Sequence, residues 1–313
     1  MDGVTHGIAG LLLGELCEEP ERASRRRRFF WAAISLAPDL DGLAGAYGPI
    51  YYFAYHRRIF HGLPGMALLA LIGSLAYHYF GFGSRKRGLL FSALAVALHV
   101  FFDTVTSFGT TLLYPFSQVD YSLDLLFIVD LLFSSLLLLF LLLHIYRGEN
   151  SKRWVYGGGG VVACYLLLAL AMNYSAQSLV KTEVSQKRYP PGEVSVIPQP
   201  PSVFHWAAFI KTKQGYWAGP LSLLDGKVNM RHYKLPQKKE LYERACQTEA
   251  GARFLRFARF PHVIEITKEN SVTYNFLDLR FLISGKEKAN YYFGSTVQLS
   301  LDGKIIKQGL TNP

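Results

Sequence analysis

The sequence predicts an α-helical integral membrane bundle, with four clear spans and two short or half-spanning helices ahead of them, followed by a mostly antiparallel β domain. Three observations carry this. Long uncharged apolar runs fill the first 180 residues. Only 18% of the 313 residues are charged and 50% are hydrophobic, whereas soluble domains carry about 25% charged residues. Beyond residue 203, short strand-like runs alternate with turn residues. The pattern excludes a purely soluble enzyme and a disordered chain. The three cysteines, Cys17, Cys164 and Cys246, lie far apart, which excludes a disulfide scaffold. The expected organisation is a helical domain over 1–180, a Pro-rich linker over 181–202 and a β-rich domain over 203–313.

Residues 4–17 are apolar but too short to span easily, and 29–48 are interrupted by Pro38, Asp39 and Asp41. Both read as short, re-entrant or half-spanning helices. The stretches 63–83, 88–108, 123–146 and 154–178 each reach the about 20 apolar residues that a bilayer crossing takes. The four glycines at 157–160 precede no phosphate-loop lysine and read as a close helix-packing surface. No basic region or small-residue cleavage site marks the start as a cleavable signal peptide. Arg25–Arg28, then Arg85, Lys86 and Arg87, then Arg147 with Lys152 and Arg153 mark three cytoplasmic turns. One alternating path satisfies all three, and it leaves the C-terminal domain outside the cytoplasm.

The linker KRYPPGEVSVIPQPPS reads as unsuited to a helix or a sheet interior. The runs WAAFIKT, YWAGPLSLL, HVIEITK, SVTYNFLDLRFLIS and STVQLSL then read as strands, with LDGK occurring twice as a turn. Residues 181–313 hold 20 Lys and Arg against 11 Asp and Glu, a net +9 of the chain's +10. On a membrane-tethered tail that excess points to an anionic lipid surface, not to nucleic acid.

An ionisable residue inside a span costs about 2.5–3.5 kcal/mol on insertion scales. His99 and Asp103 nevertheless sit in LHVFFDT, at the i, i+4 spacing that stacks two side chains on one helix face. Asp39 and Asp41 form P-D-L-D, His56 and His61 bracket H-R-R-I-F-H, and His6 follows Thr5. Oriented by Arg and Lys alone, all of these fall in the outer half of the membrane. Imidazoles and carboxylates in these numbers suit a divalent metal, Zn²⁺ first with Mn²⁺ or Fe²⁺ as alternatives, and one or two ions. Plainer readings compete: a His99–Asp103 packing pair, a capped turn at Asp39 and Asp41, and an ordinary helix start at His6. A headgroup-level patch would likewise account for His56, Arg57, Arg58 and His61.

Asp124 and Asp130 lie near the outer end of the 123–146 stretch. Asp130, the deeper, is expected to orient a ligand histidine or to pair within the bundle. His78 and His144 read as snorkelling residues at inner helix ends. His205, His232 and His262 show no ligand spacing.

The ordered set T-H, P-D-L-D, H-R-x-x-x-H and H-x-x-x-D, with Y-P-F-S at 114–117 and L-F-I-V-D at 126–130, resembles the YdjM/DUF457 family of bacterial membrane proteins. The resemblance covers residues 1 to about 147. It implies a helical metal-dependent hydrolase of the bacterial inner membrane, with His6, Asp39, Asp41, His56, His61, His99 and Asp103 as candidate ligands. A looser similarity to zinc-dependent phospholipase C rests on the HxxxD pair, without that family's later HxxxE-type pair. The function expected is hydrolysis of a lipid or lipid-linked phosphoester by metal-bound hydroxide at the outer face. Asp39 or Asp41 would handle the proton, and Arg57 or Arg58 would neutralise a phosphate. The absent R-P and P-S-G-H motifs disfavour a phosphatidic-acid-phosphatase type. Two other classes remain as alternatives: a metal or proton transporter, and a membrane anchor displaying the β domain. Oligomeric state is open.

Overall fold

Asp2 starts the first helix, its carboxylate accepting the Thr5 amide at 3.0 Å, which satisfies one of the orphan donors of a helix start. The structure is a computed structural model, and it describes all residues except 20–23, 48–50, 53–54, 148–151, 201–202, 283–293 and 311–313. It divides into two compact units, Met1–Leu43 with Tyr55–Asn173 and Pro200–Val203, and Ala44–Ala54 with Tyr174–Gln199 and Phe204–Pro313.

The first unit is helical: α1 (Gly3–Cys17), α2 (Arg25–Leu36), α3 (Leu63–Tyr79), α4 (Arg85–Val105), α5 (Leu131–Arg147) and the first part of α6 (Lys152–Ser185). Pro38 cannot continue α2, and the chain tightens into a 3₁₀ segment over Ala37–Tyr47 that carries Asp39 and Asp41. Small residues let α1 and α2 approach: a Cβ at Gly10 would sit 2.4 Å from Ser35 Cβ, and one at Gly14 would sit 2.5 Å from Trp31 Cγ. Phe30, Trp31, Ile34, Leu69, Tyr77, Phe91 and Val96 fill the core between α2, α3 and α4.

The outward faces are apolar. On α3, Leu68, Leu71, Ile72 and Leu75 are exposed while Gly73 and Ser74 are buried, and on α5 Leu138, Leu139, Leu142 and Ile145 are exposed while His144 is buried. Small and polar groups inside with leucine outside is the pattern of a bundle solvated by lipid. Against the four expected spans, two helices among the described residues are long and apolar enough to cross a membrane, Arg85–Val105 and Lys152–Ser185. The helices α3 and α5 have 17 residues each, about 26 Å at the α-helical rise, against a hydrocarbon core of about 30 Å. The 123–146 expectation fails at its start, because Asp130 caps α5 through the Phe133 amide at 2.9 Å. Residues 123 and 125 instead bond back to the carbonyls of Thr104 and Val105. Apolarity alone does not distinguish such a pinned loop from a helix.

The second unit holds two antiparallel sheets. One contains β1 (Glu193–Pro198), β2 (His205–Thr212), β3 (Gly215–Ser222), β4 (Lys227–Val228) and β5 (Arg231–Lys234). The other runs in order β6 (Pro261–Lys268), β7 (Ser271–Asp278), β8 (Gly294–Ser300) and β9 (Ile305–Leu310). Both LDGK segments turn the chain between strands, with Gly226 at φ 65° and Gly303 at φ 86°. Two departures from the sequence reading stand out. The Pro-rich segment is not all linker: α6 continues to Ser185, and Glu193–Pro198 pairs with β2 as an edge strand, where proline is tolerated. The domain also contains α7 (Lys239–Gln247) and α8 (Glu249–Phe257), whose Ala245, Ala250 and Phe254 pack on Tyr274, Phe276 and Val297.

Candidate metal centre

Asp103 lies wholly buried near the C-terminal end of α4, with His99 one turn before it. Its Oδ1 meets Arg57 Nη2 at 2.9 Å, His6 Nε2 at 3.2 Å and the α-amino group of Met1. Its Oδ2 lies 3.0 Å from His61 Nε2 and 3.6 Å from His99 Nε2, and is buried without a well-formed hydrogen bond. From the 3₁₀ segment, Asp39 Oδ1 reaches within 3.6 Å of His99 Nε2 and 4.0 Å of His61 Nε2. Asp39, His61, His99 and Asp103 thus each offer a ligand atom, all within 4.8 Å of one another, and the cluster could hold a metal ion.

The tautomers follow from the outer contacts. His99 Nδ1 donates to the Ser35 carbonyl at 2.7 Å, and His61 Nδ1 donates to Asp41 Oδ2 at 2.9 Å. Neither acceptor can give a proton, so each ring carries hydrogen on Nδ1, and in the neutral ring it is Nε2 that presents a lone pair to the cluster. The two Nε2 atoms lie 3.2 Å apart beside two carboxylates, with Asp39 alone of the four residues partly exposed. Such a set repels itself unless a proton or a cation lies among the four atoms. Two imidazoles and two carboxylates, with their outer nitrogens already engaged, fit a divalent ion by donor chemistry.

The other predicted residues surround this set. Asp41 does not present a ligand atom to it: Oδ1 takes His56 Nδ1 at 3.0 Å, and Oδ2 takes His61 Nδ1 and, at 3.2 Å, the Arg58 amide. His56 stands at the edge, its Nε2 3.9 Å from Asp39 Oδ1. His6 stacks on His99 with ring centroids 3.6 Å apart, behind Asp103. Arg57 adopts φ 64°, a left-handed conformation uncommon for a side-chain-bearing residue. It also donates to Thr106 Oγ1 at 3.2 Å. Arg58 reaches Gln118 Oε1 at 3.0 Å. Both guanidinium groups therefore hold protein partners, where the sequence reading gave them to a phosphate.

The aspartates 124 and 130 do not join the site. Asp130 caps α5 and accepts the Tyr165 hydroxyl at 3.0 Å, so it orients no histidine. Asp124 turns the chain at φ 55°, its carbonyl accepting Asn173 Nδ2 at 2.9 Å. The contribution of Ser35 is a backbone carbonyl, for which residue type carries no signal.

A second polar cluster gathers the three basic segments around the far end of α1. Glu18 takes Arg27 at 2.8 Å and the Tyr77 hydroxyl at 2.9 Å, and Glu15 takes Arg28 at 2.7 Å. Lys152 and Arg87 donate to the α1 carbonyls of Leu16 and Cys17, and Lys152 also to that of Glu18. His144, expected to snorkel, is buried and reaches Glu15 Oε2 at 3.1 Å.

Fold and site together define a helical membrane protein with a buried two-histidine, two-aspartate cluster. The chain belongs to the YdjM inner membrane protein family, whose model matches residues 1–176. It is also similar to "Uncharacterized protein YfhP" of Bacillus subtilis (strain 168), with 24% identity over 96% of this chain and 92% of that protein. No solved structure matches it.

Proposed function

We propose that the protein is a membrane-embedded metal-dependent hydrolase acting on a lipid or lipid-linked phosphoester at the outer face of the bacterial inner membrane. The observation that carries this is the convergence of two imidazole Nε2 atoms and two carboxylates, three of the four residues buried, within 4.8 Å of one another. Asp39, His61, His99 and Asp103 would hold the ion, Zn²⁺ first. When bound, such an ion supplies an activated water and polarises a phosphoryl oxygen.

The chain's own groups divide the remaining work. Asp41 and the Ser35 carbonyl fix the histidine tautomers. Arg57 balances Asp103. The accessible edge is formed by Asp39 and His56, whose side chains are 28% and 17% exposed while those of His6, His61, His99 and Asp103 are fully buried. Substrate approaches there, and His56 Nε2 is placed to take the proton lost by the attacking water, with Asp41 holding Nδ1. The transporter alternative needs polar groups continuing through the bundle. On α1, however, residues 7–14 between His6 and Glu15 read GIAGLLLG and carry no ionisable group.

Elemental analysis of detergent-purified protein tests the reading, with wild type beside His99→Ala and Asp103→Ala. About one equivalent of transition metal in wild type, lost in both variants, is expected. No metal in protein purified without chelator, and none taken up from added Zn²⁺ or Mn²⁺, would overturn it.

A further inference from the structure

The β-rich unit carries a surface that the hydrolase reading does not use. At the start of α7, Lys238, Lys239 and Arg244 line an open cleft of about 350 Å³ with Leu301 of the β8–β9 turn. Gly303 permits that turn at φ 86°, and the Arg244 guanidinium packs over it, where a Cβ would meet Nη1 at 2.3 Å. Two acids share the cleft, Glu240 and Asp302. Asp302 is engaged locally, by Lys304 Nζ at 3.3 Å and the Ser300 hydroxyl.

The strand that leaves the turn is β9, at the edge of its sheet among the described residues. Lys304 leads into it and it opens Ile305-Ile306-Lys307, with Ile305 52% and Ile306 55% exposed beside Leu301 at 50%. Edge strands in water are commonly blunted with charge because exposed apolar edges invite aggregation. Here three large apolar side chains stand in the open, flanked by cations on both sides. Apolar residues rimmed by lysine and arginine match the boundary of an anionic bilayer, where phosphates meet the cations and acyl chains accept the apolar groups. The unit also follows directly on α6, a helix long and apolar enough to cross a membrane, so a bilayer is always at high local concentration.

We propose that the β8–β9 turn, the first half of β9 and the start of α7 dock on the anionic phospholipid headgroups of the host membrane. The proposal does not depend on the metal site. It is tested on the full-length protein in nanodiscs by hydrogen exchange. In discs rich in phosphatidylglycerol, amides of 238–244 and 301–307 should exchange on the order of tenfold more slowly than in phosphatidylcholine discs. The difference should vanish at high salt, and in Lys304→Glu/Lys307→Glu. Protection of β7 in the same spectra reports whether the variant is folded, and Ile305→Ser/Ile306→Ser serves as a second variant. Equal exchange in both kinds of disc overturns the proposal. So does protection that requires two protein copies per disc, which would mean edge-to-edge pairing. Protection by inorganic phosphate in phosphatidylcholine discs would make the cleft a small-anion site and also overturns it.

Discussion

The two ends of α1 hold polar clusters of similar size and opposite logic. Around Glu15 and Glu18, the carboxylates meet permanent cations, and Lys152 and Arg87 cap carbonyls at the negative end of the helix dipole. That end is complete in itself. Around Asp103, the Nε2 atoms of His61 and His99 converge to 3.2 Å, with Asp103 Oδ2 lacking a well-formed bond. The contrast separates two kinds of burial: a saturated cluster locks helices together, whereas an unsaturated one leaves donor atoms that a cation could take up.

Removing the ligand should break the comparison most sharply. Chelation should lower wild-type stability by about 4 kcal/mol relative to protein with metal at a thousandfold excess over its Kd. A thermal melt in detergent, repeated after adding Zn²⁺, reads this, and Asp103→Ala should show no such response. Next, Asp41→Asn should weaken metal binding about 10–100-fold, because the amide cannot accept from both His56 and His61. Competition with a chromophoric chelator measures it. At the other end, Glu18→Gln should cost about 1–2 kcal/mol, the pair with Arg27 being only partly sheltered, while metal content stays at the wild-type value. Unchanged stability there would remove the structural role given to that end.

The last effect, read from pH and not from metal, belongs to the β domain. Burial pushes His262 down to about 4 from its ordinary 6.5. Its unfolded form therefore binds a proton that the folded form refuses between those values, so the stability present above pH 6.5 declines as pH falls toward 4. His262→Gln should flatten that part of a pH–stability curve.

Much of the site was legible because an ionisable residue inside an apolar run is costly enough to need a reason. His99 and Asp103 stood out on that ground, Asp39 because it interrupts an apolar segment, and His61 only through its place in H-R-R-I-F-H just before a span. The division of labour among them did not. Asp39 and Asp41 read alike in P-D-L-D, yet the 3₁₀ turn sends one to the cluster and the other to the outer nitrogens of two histidines. Backbone carbonyls such as that of Ser35 leave no mark in composition. In the fold, hydropathy located the helical half but not the start of α5, because LDLLFIVD is as apolar in a pinned loop as in a helix. The strand β1 was hidden by its prolines, which flank or end it on a sheet edge. The pair α7 and α8 was there to be read, since Leu241 and Ala245, then Ala250, Phe254 and Phe257, recur at helical spacing, but the two helices are only nine residues each and stand between strand-like runs.

The contact of Gly14 with Trp31 has a reach beyond its own helices. Ser35, whose carbonyl holds the His99 ring, lies one turn along α2 from Trp31, and that indole rests where Gly14 has no side chain. A methyl group at position 14 would push α2 away and draw the carbonyl off Nδ1, freeing the ring to flip or change tautomer. One missing carbon near the far end of the bundle thus works as a set-screw for the alignment of a candidate metal ligand on another helix.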